Sequence, residues 1–294
     1  MPTRGTPIKR DSQSELVLLR PMVTRRYELR VDHETCCGCK ICSTACPREA
    51  ITLSDPVVED GRVVKPARVD IDEAACSFCG ECVVLCPTRS IEITVNGQPE
   101  IPVIKAEAFP YLIRRNRVTQ GAAKGATDAS FIDDCPSGAI SAEITRDEQG
   151  DIVAIRGVRV DKGVCMACSR CMHMGPQGLF AVTKPYEGLA SVDASQCPEG
   201  CQACVDVCPS HAITYDGTRV WLDQRFCLFC EACTRVCPVE DALIIERRRI
   251  NHTPIDSGAW TKALSELVST NAVAREFDIK GQGKRRRLIL GNEA

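Results

Sequence analysis

Period-two alternation of apolar and polar residues recurs in short stretches along the chain, as half-buried strands require. One set of stretches leads into runs of cysteine: YELRVD (27–32), ARVDID (67–72), GVRVD (157–161) and VWLD (220–223). A second set follows Cys-Pro dipeptides: AITLSD (50–55), SIEITVNG (90–97), AISAEIT (139–145), AITYDG (212–217) and ALIIERR (242–248). Between a leading and a trailing stretch the pattern predicts a loop and then a short helix. That helix should run through the last two cysteines of each run and end at or before the Cys-Pro, because the residue before proline is pushed out of the helical region. The unit is strand, cysteine loop, short helix, strand. Two units make a module of about 60 residues, too small to bury a robust core unaided. Near the C-terminus the period changes: Trp260, Leu264, Leu267 and Val268 share one face of a helix that Asp256 or Ser257 would cap. That face is expected to pack on the chain's own modules or to dock on a partner.

Repetition sets the domain plan. Three modules are expected at 25–100, 101–185 and 186–250, between an N-terminal extension (1–24) and a C-terminal helix with a basic tail (251–294). VNGQPE (95–100) carries a turn signal, IPVIKAEAFPYLIRRN (101–116) reads as a strand and a short apolar segment, and QGAAKGATDAS (120–130) reads as loop. In the N-terminal extension, SELVLLRPMV has the character of an exposed anchor.

Composition shows what the small modules lack and what replaces it. Aromatic residues make up only 4% of the chain, whereas cysteine accounts for 21 of 294 residues. No apolar run approaches the length of a membrane span, and MPTRGTPIKRDSQSE holds no apolar signal region, so a cytoplasmic location is expected. Disulfides are rare there, which turns a cysteine-rich chain toward metal or redox chemistry. Formal net charge is −2, so there is no electrostatic case for nucleic acid. KRRR (284–287) reads as a solvated tail or a partner-facing salt-bridge segment.

The cysteine spacing is regular. Cys36, Cys39, Cys42 and Cys46 follow C-x2-C-x2-C-x3-C with Pro47 next; Cys76, Cys79, Cys82, Cys86 and Cys227, Cys230, Cys233, Cys237 repeat it. Cys197, Cys201, Cys204 and Cys208 carry one extra residue in the first gap. This is the run that holds [4Fe–4S] clusters, three thiolates wrapping one cubane and the fourth ligating the cluster of the paired run. Four ligand sets follow: Cys36, Cys39, Cys42, Cys86 (site 1); Cys76, Cys79, Cys82, Cys46 (site 2); Cys197, Cys201, Cys204, Cys237 (site 4); and Cys227, Cys230, Cys233, Cys208 (site 5). Zinc knuckles use separate C-x2-C pairs and do not account for the third in-line cysteine or the trailing Cys-Pro.

Five cysteines remain. Cys165, Cys168 and Cys171 begin a run whose fourth position is Gly175. Cys135 stands in DDCPSGAI, which aligns with ACPREAI and VCPSHAI, and it precedes Cys165 by the same 30 residues that separate Cys46 from Cys76. Counting back from Cys135 places lost ligands at Gly125, Asp128 and Phe131. By the swapping rule, those three positions and Gly175 would have held one cluster, while Cys165, Cys168, Cys171 and Cys135 hold its neighbour (site 3). Asp128 alone cannot sustain a sixth cluster. His173, Met172 and Met174 are expected to fill the vacated space. The expected cofactor is five [4Fe–4S] clusters on 20 cysteines, with Cys37 a shielded thiol outside the ligand sets.

The rest of the chain offers no catalytic set. There is no G-x-S-x-G, H-E-x-x-H or Walker A motif, GQGK (281–284) is too short for a phosphate loop, and His33, His173, His211 and His252 are isolated. Fully ligated clusters leave no open iron, so a non-catalytic electron relay is expected, with electrons arriving at one end and leaving at the other.

Over residues 25–250 the chain resembles a polyferredoxin, and PVIKAEAFPYLI with SGAWTKALSEL and KRRR is similar to the polyferredoxin subunit of archaeal formylmethanofuran dehydrogenase. The resemblance implies an α+β fold of tandem ferredoxin-like [4Fe–4S] modules. It also implies low-potential electron relay within an anaerobic oxidoreductase complex of methanogenic archaea. The expected partners are subunits of such a complex and a donor or acceptor ferredoxin or other iron–sulfur protein. The alternatives are a subunit of another redox complex (hydrogenase or heterodisulfide reductase) and a free polyferredoxin.

Overall fold

The computed structural model describes residues 5–269 and Val273. Strands β1 (Ile8–Asp11), β2 (Glu15–Pro21) and β3 (Arg26–Asp32) form an antiparallel meander. Leu16, Val17, Leu18 and Leu19 are all buried in it, so the LVLL core of SELVLLRPMV is an interior strand rather than an exposed anchor, whereas Met22 and Val23 beyond it are exposed. Four consecutive apolar residues fit a strand covered on both faces.

There follow α1 (Ile41–Thr44), β4 (Ile51–Leu53), β5 (Val57–Glu59), β6 (Arg62–Lys65), β7 (Val69–Ile71), α2 (Glu81–Leu85), β8 (Ile91–Val95) and β9 (Gln98–Pro99). An outer pair, β3 with β8, encloses an inner pair, β4 with β7, and the large sheet runs β1-β2-β3-β8-β9. The same nesting recurs twice. After α3 (Pro102–Lys105) come β10 (Arg115–Val118), α4 (Ser130–Asp133), β11 (Ile140–Arg146), β12 (Ile152–Val160), α5 (Arg170–Met174) and β13 (Phe180–Thr183). Here β10 pairs with β13 around β11 and β12. Last come β14 (Tyr186–Val192), α6 (Ala203–Asp206), β15 (Ile213–Tyr215), β16 (Val220–Leu222), α7 (Ala232–Val236) and β17 (Leu243–Ile250), with β14 on β17 around β15 and β16.

Further segments differ from the sequence expectation. The strand expected within 101–116 begins only at Arg115; Pro102 instead opens a helical turn, where its fixed φ fits and its missing N–H costs nothing. Strand β14 went unpredicted because Gly188 and Ala190 mask its alternation. Gly188 is required there, since a Cβ would lie 1.9 Å from the Glu246 carbonyl oxygen beside the bulge at Glu187 and Gly188.

Helix α8 (Gly258–Leu267) places Trp260, Ala263, Leu264 and Leu267 in the core. Trp260 meets Phe109 edge-on at 5.1 Å and His252 at 4.6 Å. It shares one apolar cluster with Ile41 and Leu85 of the first repeat, Met166 of the second, and Tyr186 and Leu228 of the third. The apolar face of α8 therefore packs within the chain rather than on a partner. Tyr186 donates its hydroxyl to the Leu85 carbonyl, tying the third repeat to the first. KRRR lies outside the described residues. Among those described, no helix is long and apolar enough to cross a membrane.

Candidate metal centres

Four of the five cysteine loops share one local build. The residue before the second cysteine and the residue after it both take left-handed backbone: Gly38 and Lys40, Phe78 and Gly80, Ala167 and Ser169, Phe229 and Glu231. Such alternation turns backbone N–H groups inward, a nest that suits an anionic group. The loop of Cys197 and Cys201 departs from this pattern because of its extra residue; only Gly200 is left-handed there, and Gln202 is not. Each short helix then starts just before the third cysteine and stops before the fourth: Cys42 in α1, Cys82 in α2, Cys171 in α5, Cys204 in α6 and Cys233 in α7. The fourth cysteine thus lies beyond the helix rather than inside it, free to face the neighbouring loop.

After the fourth cysteine the chain makes a second recurrent turn. Three residues on, Glu49, Arg89, Gly138 and His211 are left-handed. One residue later a backbone N–H points back at sulfur: Ala50 to Cys46 Sγ at 3.4 Å, Ala139 to Cys135 Sγ at 3.3 Å, Ala212 to Cys208 Sγ at 3.2 Å. Cys135 therefore sits in the backbone environment of Cys46 and Cys208. At Cys86 a hydroxyl lies beside the sulfur instead, with Ser90 Oγ 3.3 Å from Cys86 Sγ.

The cysteines come together in the swapped sets. Cys46, Cys76, Cys79 and Cys82 line one cavity, Cys135, Cys165, Cys168 and Cys171 a second, and Cys197, Cys201, Cys204 and Cys237 a third. For the remaining eight the neighbouring thiols come mostly from the same set, with Cys82 also beside Cys42 and Cys204 beside Cys233. Burial and then neighbouring thiols, Cys39 and Cys86, push Cys36 up to about 12. Burial, then Cys230, Cys208 and Cys227, drive Cys233 up as well. Cys171 and Cys204 are likewise pushed up to about 12, chiefly by burial and then by the other members of their own sets. Boxes of buried thiols that resist ionisation are unfavourable places for four anions. They become favourable once cations replace the protons, so the donor sets fit a metal group. Among the described residues, no His, Cys, Asp or Glu group converges on one point as ligands of a single ion would. The sulfurs instead surround a volume, as a multi-iron group requires.

The vacated positions are accounted for differently than expected. Phe131 is buried and meets Phe180 at 5.6 Å, with Leu179, Ala123 and Ile140 around them. Gly175 has no room for a side chain, since a Cβ would lie 2.7 Å from the Cys171 carbonyl oxygen. Met172 and Met174 are exposed and His173 meets Phe226 edge-on at 5.8 Å, so these three side chains do not pack together as interior filling. At one of the counted-back positions Phe131 packs against Phe180 instead. Asp128 is exposed and accepts hydrogen bonds from Ser130 at the start of α4. Gly125 is a left-handed turn residue.

Sequence reasoning also left residues at the repeat junctions unseen. The Cys37 thiol is hydrogen-bonded to Cys230 and Cys39, which holds it well above the ordinary thiol range, while its S–H lowers Cys230. Arg89 Nε donates to the Cys165 carbonyl at 3.0 Å, Lys184 Nζ to the Cys227 carbonyl at 2.9 Å, and Arg235 Nη1 to the Gly38 carbonyl at 2.5 Å. Each ties one cysteine loop to another repeat, and only the folded chain brings these pairs together.

The model of the 4Fe-4S dicluster domain matches residues 35–90 and 196–240. The uncharacterized ferredoxin-like protein YdhX of Escherichia coli (strain K12) is 36% identical over 107 residues, 33% of this chain and 44% of that protein. A ferredoxin-like protein in the nif region of Azotobacter vinelandii is 39% identical over 51 residues, 15% of this chain and 55% of that protein. The chain thus spans about half the length of these curated relatives. Among solved structures, a chain of the formate dehydrogenase–heterodisulfide reductase–formylmethanofuran dehydrogenase complex from Methanospirillum hungatei aligns with a TM-score of 0.77 and 25% identity, over 92% of this chain and 93% of that one. The chain carries 4Fe-4S dicluster ferredoxin domains on a fold of repeated short strands and helices.

Proposed function

We propose that this polyferredoxin-like chain holds five [4Fe–4S] clusters, at sites 1 to 5, and serves as a non-catalytic electron-relay subunit of a low-potential oxidoreductase complex. The observation that carries the reading is the gathering of the fourth cysteine of one run with the first three of another, at Cys46, Cys135 and Cys237. When bound, each cubane accepts and returns one electron. The chain's own residues hold it by four thiolates, direct N–H groups at sulfur and exclude water. The repeats at 25–100, 101–185 and 186–250 are the cluster-bearing modules in this reading.

The likeness to the Methanospirillum chain over nearly full length supports a subunit role beside a formylmethanofuran dehydrogenase-like partner in the cytoplasm. The Methanospirillum complex also includes heterodisulfide reductase, so service to a partner of that kind is the second reading. The junctions favour a convergent relay over a simple line. Loops of sites 1, 2, 3 and 5 contribute Cys39, Cys79, Cys168 and Cys227 to one apolar cluster, and no cysteine of site 4 belongs to it. Anaerobic iron and sulfide analysis should give about 20 of each per chain. A value near 16 refutes site 3, and a value near 24 refutes the deletion of the sixth site. Native pull-down with mass spectrometry identifies the partner, and monomeric elution from native extract counts against the subunit reading.

A further inference from the structure

One hairpin belongs to neither the outer nor the inner pair of its repeat. Strands β5 and β6 pair only with each other, and they lie between the first and second cysteine runs. The turn between them, Asp60-Gly61, has positive φ at both residues, the geometry favoured by Asp-Gly in tight hairpins. Its tip rests on the third repeat. The Gly61 carbonyl accepts the Gln202 N–H at 2.7 Å. Arg62 grips Asp206 of α6 with two bonds, at 2.9 and 2.7 Å, and the Val63 N–H reaches the same carboxylate at 3.0 Å. Val58 and Val63 pack against Cys201, Ala203 and Val236. A Cβ at Gly61 would lie 2.6 Å from the Cys201 Cα. The approach is therefore backbone on backbone, at the second cysteine of site 4.

We infer that the 57–65 hairpin of the first repeat is a cover for site 4 of the third, positioned by Gly61 and Arg62 to exclude water from Cys201. The inference rests on the reading of Cys197, Cys201, Cys204 and Cys237 as a cluster site. Site 4 has the irregular loop, and Pro198, Glu199 and Gly200 on its other side are exposed. The cavity of site 4 is lined by its own repeat, and the hairpin adds an outer layer against the Cys201 backbone from a distant part of the chain. Water exclusion matters because reduction adds a negative charge to an already anionic group. A dry setting disfavours that charge and lowers the potential, whereas exposure raises it and opens the irons to attack.

The test uses the full chain, purified anaerobically with its clusters, and reads an EPR-monitored redox titration and the rate of iron release to a chelator. Cys201→Ala first identifies the signal of site 4; if it changes neither iron content nor any signal, the site reading itself fails. Gly61→Val should lift the hairpin, because a β-branched residue at positive φ collides with the Cys201 backbone. The expected result is an upward shift of that one signal's midpoint, with the other centres unmoved. About four irons should also be released at least tenfold faster than in the wild type. Arg62→Ala, which removes the paired bonds without a clash, should shift the same signal in the same direction by less, and it decides the matter if Gly61→Val does not accumulate. A site 4 signal unmoved in both accumulated variants, or a uniform shift of every centre, overturns the inference.

Discussion

Replacing Cys135 by alanine tests the part of the assignment that the family match does not reach, since the matched segments end at residue 90 and resume at 196. The substitution removes one sulfur that accepts the Ala139 N–H at 3.3 Å and lines a cavity with Cys165, Cys168 and Cys171. Asn116 Nδ2, 3.5 Å from Cys171 Sγ, stays in place on the opposite side. The direct packing loss is that of one small, half-buried side chain, about 1 kcal/mol or less. A larger effect must come through the metal. Three thiolates remain, enough for a three-iron group, so iron content should fall by about one per chain if the site converts and by about four if it empties. Cys37→Ser is the matched control, a cysteine equally close to cluster loops but outside every ligand set; it should leave iron and sulfide unchanged. Colorimetric iron and sulfide analysis with low-temperature EPR, all under anaerobic conditions, reads both variants. Unchanged iron in Cys135→Ala, or an equal loss in Cys37→Ser, refutes the ligand assignment.

Trp260→Ala should destabilise the chain by about 3–5 kcal/mol, the cost of deleting a fully buried aromatic side chain; an anaerobic urea midpoint that moves by less than about 1 kcal/mol equivalent would contradict the docking of α8. Glu81 provides a pH test. Burial, opposed by Lys262 and reinforced by Glu266, raises its carboxyl from 4.5 to about 7. The folded state therefore prefers the neutral acid: its contribution is complete below 4.5 and is lost as pH rises through about 7. A bound anionic cluster nearby pushes the same way. Urea midpoints should fall across this window in the wild type and stay flatter in Glu81→Gln, and parallel curves would refute the assignment.

The regular parts of this molecule were legible because local rules generate them. Alternation in YELRVD and SIEITVNG marked β3 and β8, and cysteine spacing marked the loops and the helices that end before each Cys-Pro. The likeness of DDCPSGAI to ACPREAI reflected a shared turn, with Gly138 and Glu49 both left-handed and the following N–H on sulfur. What stayed hidden depends on contacts between distant segments. Leu16–Leu19 read as an anchor because nothing local says that β1 and β3 flank them. Met172 and Met174 read as interior filling, yet they are exposed while Phe131 is buried against Phe180, a choice set by which side chain faces inward. The hairpin at 57–65 carries ordinary strand signals, but its resting place beside Cys201 is 140 residues away in sequence.

The junction cations explain how a nearly neutral chain accommodates strongly anionic contents. Four thiolates on an oxidised cubane leave about −2, so five clusters add about −10 in this reading. Arg89 and Lys184 lie half-buried between repeats, and burial, the largest influence on each, lowers their affinity for the proton. Arg114 donates to the Val84 and Cys86 carbonyls, and Arg247, fully buried, donates to the Phe229 and Leu267 carbonyls and pairs with Glu231 at 3.1 Å. Uncompensated buried cations are costly, whereas cations beside anionic groups are stabilising. Cluster loading therefore does two things at once. It completes the small core of each repeat, and it supplies the negative charge that makes the cationic junctions favourable. Stripping iron anaerobically should accordingly separate the repeats as well as unfold them. Small-angle scattering should show an expanded chain and far-UV circular dichroism a loss of strand signal. An apo chain that keeps its native radius would show that packing through Trp260 and Tyr186 holds the repeats together without the metal charge.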